Sequence, residues 1–227
     1  MGTKSIAIIP ARHDSKGVKG KNFKIFNGKP LISWTIDFVR SLKFIDYAVI
    51  SSDSEKIRKI SRDNNFNFIL RPENLSLDTS STEECIIHVI KELSKKNKYF
   101  DYIFIFEPTT PLRKKKTVIA AFNFLQKNNL NSLMTVAKTD KLLANIKKNK
   151  FSPIQKNTSR RRQERVPLFY EVGVVYILKN NFFLKKNKIV SINTFPYLVN
   201  NIESLDINTK EDFLQIKILH KEIFLRK

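Results

Sequence analysis

The stretch IAIIPARHDSKGVKGKN, residues 6–22, decides the fold because it joins a buried strand directly to a basic loop. Residues 5–11 are mostly apolar and predict a strand. The loop that follows carries four cations, a hydroxyl, an amide and two glycines: Arg12, Ser15, Lys16, Gly17, Lys19, Gly20, Lys21 and Asn22. Glycine lets backbone N–H groups approach an anion closely, while arginine and lysine neutralise phosphate charge. The loop therefore predicts a site for a phosphate-rich ligand, with a solvated basic turn as the alternative.

The spacing within this loop excludes the two common phosphate-binding fingerprints. It contains neither GxxxxGK[ST] nor GxGxxG, so P-loop and dinucleotide-binding readings do not fit. A phosphate-rich ligand without either fingerprint points instead to a nucleotidyltransferase loop.

Short strands alternate with helical patterns over the first 140 residues. Beyond the first strand, further strands are predicted at 47–52, 66–70, 102–106 and 132–138. Such alternation specifies an α/β fold with a mainly parallel sheet and helices on both faces. Ligands of such sheets bind beyond the carboxyl ends of the strands. The loops expected to converge there are 11–22, 51–54, 71–82 and 107–113.

The alternation of strands and helices stops after about residue 140. Residues 141–169 are polar and basic and predict an irregular or hairpin insertion. A strand is expected at 169–178 and a last helix from 209 to about 225. Because no internal repeat or disordered linker is evident, we expect a single domain over residues 1–227.

Composition and charge narrow the class of protein. Hydrophobic residues make up 41% of the chain, yet no apolar run approaches the roughly 20 residues that span a bilayer. The short apolar start does not suit a signal peptide, and the single Cys85 suits a reducing compartment, so we expect a cytoplasmic protein. The net charge of +21 raises the question of nucleic acid, but the lysines are spread along the chain. Nucleic acid is therefore not expected to be the main partner.

Six motifs follow one another along the chain: IIPARHDSKGVKGKN, NGKPLISWTID, VISSDSEKI, RPENLSLDTSST, EPTTPLR, and RRQ followed by GVVY. Together they resemble the acylneuraminate cytidylyltransferases, also called CMP-sialic acid synthetases, over nearly the whole chain. The resemblance implies a Rossmann-like nucleotide-diphospho-sugar transferase fold. It also implies a reaction in which CTP and a nonulosonic acid of the sialic, legionaminic or pseudaminic type give the CMP-sugar and pyrophosphate. Lys21 and Asn22 favour this nonulosonate branch over the CMP-Kdo synthetases.

The resemblance also implies roles for particular residues. Those expected to bind CTP are Arg12, Ser15, Lys16, Lys21, Asn22, Arg71, and Ser81 and Thr82 at the end of the segment Asp78–Thr82. Those expected near the sugar are Glu107, Thr109, Thr110, Arg113, Arg162, Gln163 and Tyr176. Asp206 and Asn208 are expected to hold Mg²⁺, and the residues expected to carry catalysis are Arg12, Lys21 and Asp206. A homodimer is implied as well, with the 141–169 segment contributing to the partner's site.

Three departures from the family pattern lie where the sugar and the metal are expected. Glu107 replaces a glutamine, Val172 replaces an asparagine, and Asn208 replaces the second aspartate of a DID motif. We therefore expect altered sugar specificity rather than an altered nucleotide. The alternatives are a nucleotidyltransferase of the same fold for another sugar or nucleotide, and a catalytically weak homologue that acts as a binding partner.

Local explanations compete for several of these residues. Arg113 and the lysines after it could be a solvated helix start, and Thr109 and Thr110 could be turn residues. Asp53 or Ser52 could cap the helix that follows the second strand, and Asp206 could cap the last helix.

Overall fold

The central feature of the computed structural model, which describes residues 2–13, 17–77, 79–155 and 159–225, is a seven-stranded sheet. The strands are β1 Ser5–Pro10, β2 Ile25–Phe26, β3 Lys29–Pro30, β4 Tyr47–Ser52, β5 Asn67–Leu70, β6 Tyr102–Ile105, β7 Ser132–Thr139, β8 Ala144–Lys147, β9 Lys150–Pro153, β10 Leu168–Lys179 and β11 Phe195–Leu198. The α-helices are α1 Leu31–Arg40, α2 Glu55–Asp63, α3 Thr82–Ser94, α4 Lys115–Lys127, α5 Asn180–Lys186 and α6 Lys210–His220, which continues as a π-helical turn over Lys221–Leu225. Short 3-10 helices cover Lys21–Phe23, Glu73–Leu75 and Arg162–Glu164.

The sheet has the order β11-β7-β10-β6-β1-β4-β5. β10 runs antiparallel to both of its neighbours, β6 and β7, and the other pairings in the sheet are parallel. The α/β class with a mainly parallel sheet is thereby confirmed. Because β1, β4, β5 and β6 are parallel, the loops that follow them meet at one edge of the sheet.

Alternating side chains of the strands build a core on each face of the sheet. In β1, Ala7 and Ile9 pack with α1, α2 and α4, whereas Ile6 and Ile8 pack on the other face with α3 and α5. This division follows from the period of two along a strand. Helices therefore cover both faces, as the sequence predicts.

A third, smaller hydrophobic cluster packs α6 beside the loop that follows β1. Phe213 and Ile216 of α6 pack with Phe26, Leu112 and Ile207. Thr209 caps α6: its hydroxyl accepts from the Asp212 amide, and the Asp212 carboxylate accepts from the Thr209 amide. Because Thr209 fills this position, the alternative in which Asp206 caps the helix is wrong.

The helix that follows β4 begins later than the sequence indicates. Ser54 caps α2 by accepting from the Ile57 amide, while Asp53 accepts a hydrogen bond from the His13 amide at 2.8 Å. The interpretation of Asp53 or Ser52 as the cap is therefore wrong. Asp53 instead joins the loop after β4 to the loop after β1.

The segment 141–169 contains a hairpin outside the main sheet. β8 and β9 pair with each other antiparallel, with Ile146 opposite Phe151. Within the described parts of the chain, no helix combines the length and the apolar character that crossing a membrane requires.

Candidate active site

A cavity of about 310 Å³ lies at the carboxyl ends of the strands, where the sequence predicts a ligand site. Eleven of the residues proposed from the sequence line it: Arg12, Lys21, Asn22, Arg71, Ser80, Ser81, Thr82, Glu107, Thr109, Asp206 and Asn208. Two further lining residues are Pro10 and Pro108. Of the predicted nucleotide site, Ser15, Lys16 and Asp78 lie outside the described residues.

Lys21 ties the loop after β1 to the segment before α6. Its Nζ donates to the carbonyl oxygen of Ile207 at 2.8 Å. Burial lowers the pKa of Lys21, and the carboxylates of Asp206 and Glu107 oppose that change. Among the residues that the structure describes, the Lys21 ammonium has one hydrogen-bond partner, a backbone carbonyl, so it can still donate to an anion in the cavity.

The loop after β1 approaches the same segment closely at Gly17. A Cβ atom at this position would overlap the carbonyl oxygen of Asn208, so a larger residue cannot fit without moving the backbone. Asn22 donates from Nδ2 to the Arg12 carbonyl at 3.3 Å, and Arg12 donates to the Leu77 carbonyl at 3.3 Å. Arg12 therefore bridges the loop after β1 and the loop that precedes α3.

Arg71 follows β5, and its side chain is held against the end of β4. Its guanidinium donates to the Ser51 carbonyl at 2.8 Å and to the Ser51 hydroxyl at 3.3 Å, and its side chain is buried. Nearby, the Ser81 hydroxyl caps α3 by accepting from the Glu84 amide at 3.2 Å. The amino end of a 13-residue helix therefore borders the cavity, a place that favours negative charge.

Arg113 occupies a supporting position rather than a position on the cavity wall. It is buried, donates to the Thr110 carbonyl at 2.9 Å, and also contacts the Glu107 carbonyl and the Thr110 hydroxyl. Burial lowers the pKa of Arg113 to about 9, against the attraction of Glu107 and Asp206. The interpretation as a solvated helix start is wrong, because the guanidinium fixes the shape of the 107–113 loop from within.

Glu107 presents a carboxylate to the cavity among other acids. Burial raises the pKa of Glu107 to about 7; the Asp206 carboxylate adds to this effect and Arg113 opposes it. A Cβ atom on Gly173 would overlap the Glu107 carboxylate, so the glycine makes room for this side chain. Gly173 lies in the bulge of β10 between Glu171 and Tyr176.

The remaining residues predicted on the sugar side are not on this cavity wall. Tyr176 is buried, donates its hydroxyl to Glu171 at 2.7 Å, and has a raised pKa because of burial. Thr110 is buried and donates to the Gly173 carbonyl at 2.8 Å. Arg162 and Gln163 border a separate depression, where Arg162 pairs with Asp140. Within one chain, these residues are therefore not brought to the cavity.

Asp206 has the character of a cation ligand. Its Oδ2 accepts from the Asn208 amide at 3.0 Å, whereas its Oδ1 is buried and has no hydrogen-bond partner among the described residues. The next residue donates from the Ile207 amide to the Thr109 carbonyl at 2.9 Å, which sets Asp206 beside the 107–113 loop. A hard divalent cation prefers such carboxylate and amide oxygens, so the residues fit Mg²⁺. In the described residues, no three His, Cys, Asp or Glu side chains form a metal-binding group. An ion here would therefore need further oxygen ligands from a molecule bound in the cavity.

Comparison with known proteins places this geometry in a family. The family model described as Cytidylyltransferase matches residues 6–226. The chain belongs to the cytidylyltransferase family.

Individual members of the family resemble the chain over most of its length. It is 28% identical to the N-acylneuraminate cytidylyltransferase of Escherichia coli O18:K1:H7, covering 98% of this chain and 54% of that protein. It is 28% identical to the CMP-N,N'-diacetyllegionaminic acid synthase of Legionella pneumophila, covering 92% of each. The chain thus spans about half the length of the N-acylneuraminate cytidylyltransferases it matches.

A solved structure shows the same fold at low sequence identity. The structure of CMP:2-keto-3-deoxy-manno-octonic acid synthetase complexed with CTP matches with a TM-score of 0.75 and 14% identity. The match covers 97% of this chain and 99% of that one. The Rossmann-like nucleotidyltransferase fold expected from the sequence is thereby confirmed.

Some contributors to the site gave no signal in the sequence. The carbonyl oxygens of Ile207 and Leu77 hold Lys21 and Arg12, and a backbone carbonyl leaves no trace in residue type. Ser80, by contrast, lies within the predicted segment Asp78–Thr82, so the sequence did indicate it. Glu171 influences Glu107 only because the bulge in β10 brings the two together.

Proposed function

We propose that this chain is a cytidylyltransferase that activates a nonulosonic acid, of the sialic, legionaminic or pseudaminic type, with CTP. The products are the CMP-sugar and pyrophosphate. One observation carries the proposal: a single cavity at the carboxyl ends of the strands joins Arg12 and Lys21 to Asp206. Nucleotidyl transfer requires cations that neutralise phosphate charge. It also requires a carboxylate that can hold a metal ion.

Arg12 and Lys21 bind the triphosphate in this proposal, supported by the amino end of α3. Asn22 and Arg71 line the same cavity and hold the cytidine part of CTP, together with the Ser80–Thr82 edge. The oxygen of the sugar's anomeric hydroxyl forms a bond to the α-phosphorus and its proton passes to solvent. The bond from the α-phosphorus to the diphosphate breaks, and pyrophosphate leaves with the electron pair. Catalysis then rests on positioning and on stabilising the negative charge.

Asp206 and Asn208 would hold Mg²⁺ in this site. A bound Mg²⁺ supplies positive charge that neutralises phosphate oxygens. At present the Asn208 amide nitrogen faces Asp206, so binding through both residues requires the amide to turn its oxygen toward the ion. With an amide in place of a second carboxylate, we expect weaker affinity for the ion than a pair of aspartates would give.

Glu107 and Thr109 border the part of the cavity that we assign to the sugar. Their position supports the hypothesis of altered sugar specificity, because a carboxylate accepts hydrogen bonds where an amide could also donate them. Arg113 and Thr110 take part by holding the loop. Arg162, Gln163 and Tyr176 remain proposed sugar-side residues, the first two reaching a partner's site rather than their own.

We also propose that the protein is a homodimer that uses the β8–β9 hairpin. Ile146 is 78% exposed and Phe151 is 63% exposed, and the two lie opposite each other in the hairpin. Exposed apolar side chains that lie together, rather than singly, are a feature of surfaces that contact another protein. The buried thiol of Cys85 and the cytosolic supply of nucleotides fit a cytoplasmic location.

Pyrophosphate release, measured with each NTP against a panel of α-keto acid sugars, tests the proposal. Turnover with CTP and a nonulosonic acid supports it. Turnover with another NTP or with an eight-carbon sugar identifies the second candidate, a transferase of the same fold. No activity with any combination identifies a weak homologue, the candidate that the Asn208 and Val172 replacements permit.

A further inference from the structure

Glu203 is an acidic side chain sequestered next to the candidate active site, although it does not line the cavity. Only 1% of the residue is exposed. Its Oε1 accepts from the Asn200 amide group at 2.7 Å and from the Thr117 hydroxyl at 3.0 Å, and its Oε2 accepts from the Lys114 backbone amide at 3.4 Å. A buried carboxylate is costly unless it is hydrogen-bonded, so these contacts explain how it is tolerated.

The negative charge of Glu203 lies at the amino end of α4. The first turn of this helix carries no acidic residue, and Lys114, Lys115 and Lys116 crowd its amino end. Positive side chains are unfavourable at that end because the helix dipole is itself positive there. Glu203, from a segment 86 residues away from Thr117, supplies the missing negative charge and accepts from the Lys114 amide.

Glu203 also belongs to a short segment, residues 200–206, that ends at Asp206. Asn200 accepts from the Glu203 backbone amide at 2.9 Å while its own amide group donates to the Glu203 carboxylate, so the turn is closed from both sides. Three residues further on, Asp206 carries a buried oxygen without a described partner, and the Ile207 amide donates to the Thr109 carbonyl. Glu203 and Ile207 therefore join the segment to two points of the stretch between β6 and α4, Lys114 at its end and Thr109 near its middle.

We propose that Glu203 is a positioning residue: by joining the 200–207 segment to the amino end of α4, it fixes Asp206 beside the 107–113 loop and sets the affinity of the site for a divalent cation. The part of this inference that concerns the cation rests on the proposed function. The part that concerns the position of the segment does not. Partners outside the immediate ligand shell typically change metal affinity by about 10- to 100-fold when they are removed.

The test compares Glu203→Ala, Glu203→Gln and the control Glu211→Ala in the full chain. Glu211 is an exposed acid on the other side of Asp206, in the first turn of α6, so its removal changes the net charge equally. Hydrogen–deuterium exchange is followed in peptides that cover residues 204–209, and Mn²⁺ binding is followed by electron paramagnetic resonance with CTP present. Circular dichroism melting shows that each variant is folded.

We expect Glu203→Ala to speed amide exchange at 204–209 and to weaken Mn²⁺ binding about 10- to 100-fold. Glu203→Gln should lie between this variant and the parent, since one oxygen still accepts from Thr117 and Asn200. Glu211→Ala should match the parent in both measurements. Should Glu203→Ala fail to fold, the glutamine variant carries the same two readouts.

Two outcomes would overturn the inference. Unchanged exchange at 204–209 in a folded Glu203 variant would show that the carboxylate does not fix the segment. Faster exchange with parental Mn²⁺ affinity would show that the position of the segment does not control the cation. A parent protein that binds neither CTP nor Mn²⁺ would instead contradict the proposed function, and the exchange data would still decide whether Glu203 positions the segment.

Discussion

Replacing Glu107 with glutamine should stabilise the protein at alkaline pH much more than at acid pH. Burial, aided by the Asp206 carboxylate, raises the pKa of Glu107 from 4.5 to about 7. The folded state therefore holds this proton more tightly than the unfolded state does. The contribution of Glu107 to the stability of the folded state is greatest below pH 4.5 and is lost as the pH rises through about 7. The difference between the two pKa values corresponds to about 3 kcal/mol above pH 8.

Glutamine removes that penalty but also removes a negative charge that favours the buried Arg113 guanidinium. Because the two effects oppose each other, we expect a net gain of about 1–2 kcal/mol at pH 8.5 and less than half of that at pH 5. Urea unfolding followed by circular dichroism at both pH values measures the gain. Glu211→Gln, at an exposed site in the first turn of α6, is the control; losing its charge there should cost less than about 1 kcal/mol, by the same amount at both pH values. A Glu107→Gln protein no more stable than its parent at pH 8.5, or equally stabilised at both pH values, would refute the reasoning.

Three further predictions concern the nucleotide, the cation and the partner. Lys21→Ala should abolish most CTP binding in isothermal titration calorimetry because it removes a cavity cation; retained CTP affinity would contradict this assignment. Nucleic acid on the basic surface would instead bind Lys21→Ala unchanged and weaken steeply with salt. Asp206→Ala should lower pyrophosphate release at least tenfold with only partial rescue by extra Mg²⁺, and full activity would remove Asp206 from the metal role. Phe151→Lys should shift the protein toward monomer in analytical ultracentrifugation, whereas an unchanged mass would leave the β8–β9 hairpin outside the interface.

The general architecture could be predicted because hydrophobic periodicity is a local property. The apolar run of β1 indicated a buried strand, and the helical spacing of α3 indicated a helix together with its buried face. The position of β10 between β6 and β7 could not be predicted, since strand order depends on contacts between distant residues. Short elements were missed as well: α5 has seven residues, and β11 has four and includes Pro196.

The convergence of the loops was predictable, but the direction of individual side chains was not. Three of the four predicted loops, 11–22, 71–82 and 107–113, line the cavity because parallel strands end at the same edge. The expectation that the 51–54 loop lines it as well is wrong for the described residues; this loop instead supports the first one through Asp53. Arg113 nevertheless turns inward, because carbonyls of its own loop and the rings of Phe38 and Phe106 surround the guanidinium. Lys21 meets the Ile207 carbonyl across 186 residues, a pairing that neither residue type nor spacing could indicate.

The place of β10 in the sheet has a consequence for synthesis on the ribosome. β1, β4, β5 and β6 can pair as soon as residue 105 has emerged, but in the described sheet β7 is hydrogen-bonded to β10 and β11 and not to those four strands. Until residue 179 is available, the nascent chain carries β6 with one unpaired flank, together with a detached β7. Open flanks of this kind recruit other strands, so we expect truncated chains that end between residues 140 and 168 to aggregate more readily than chains that extend past 179.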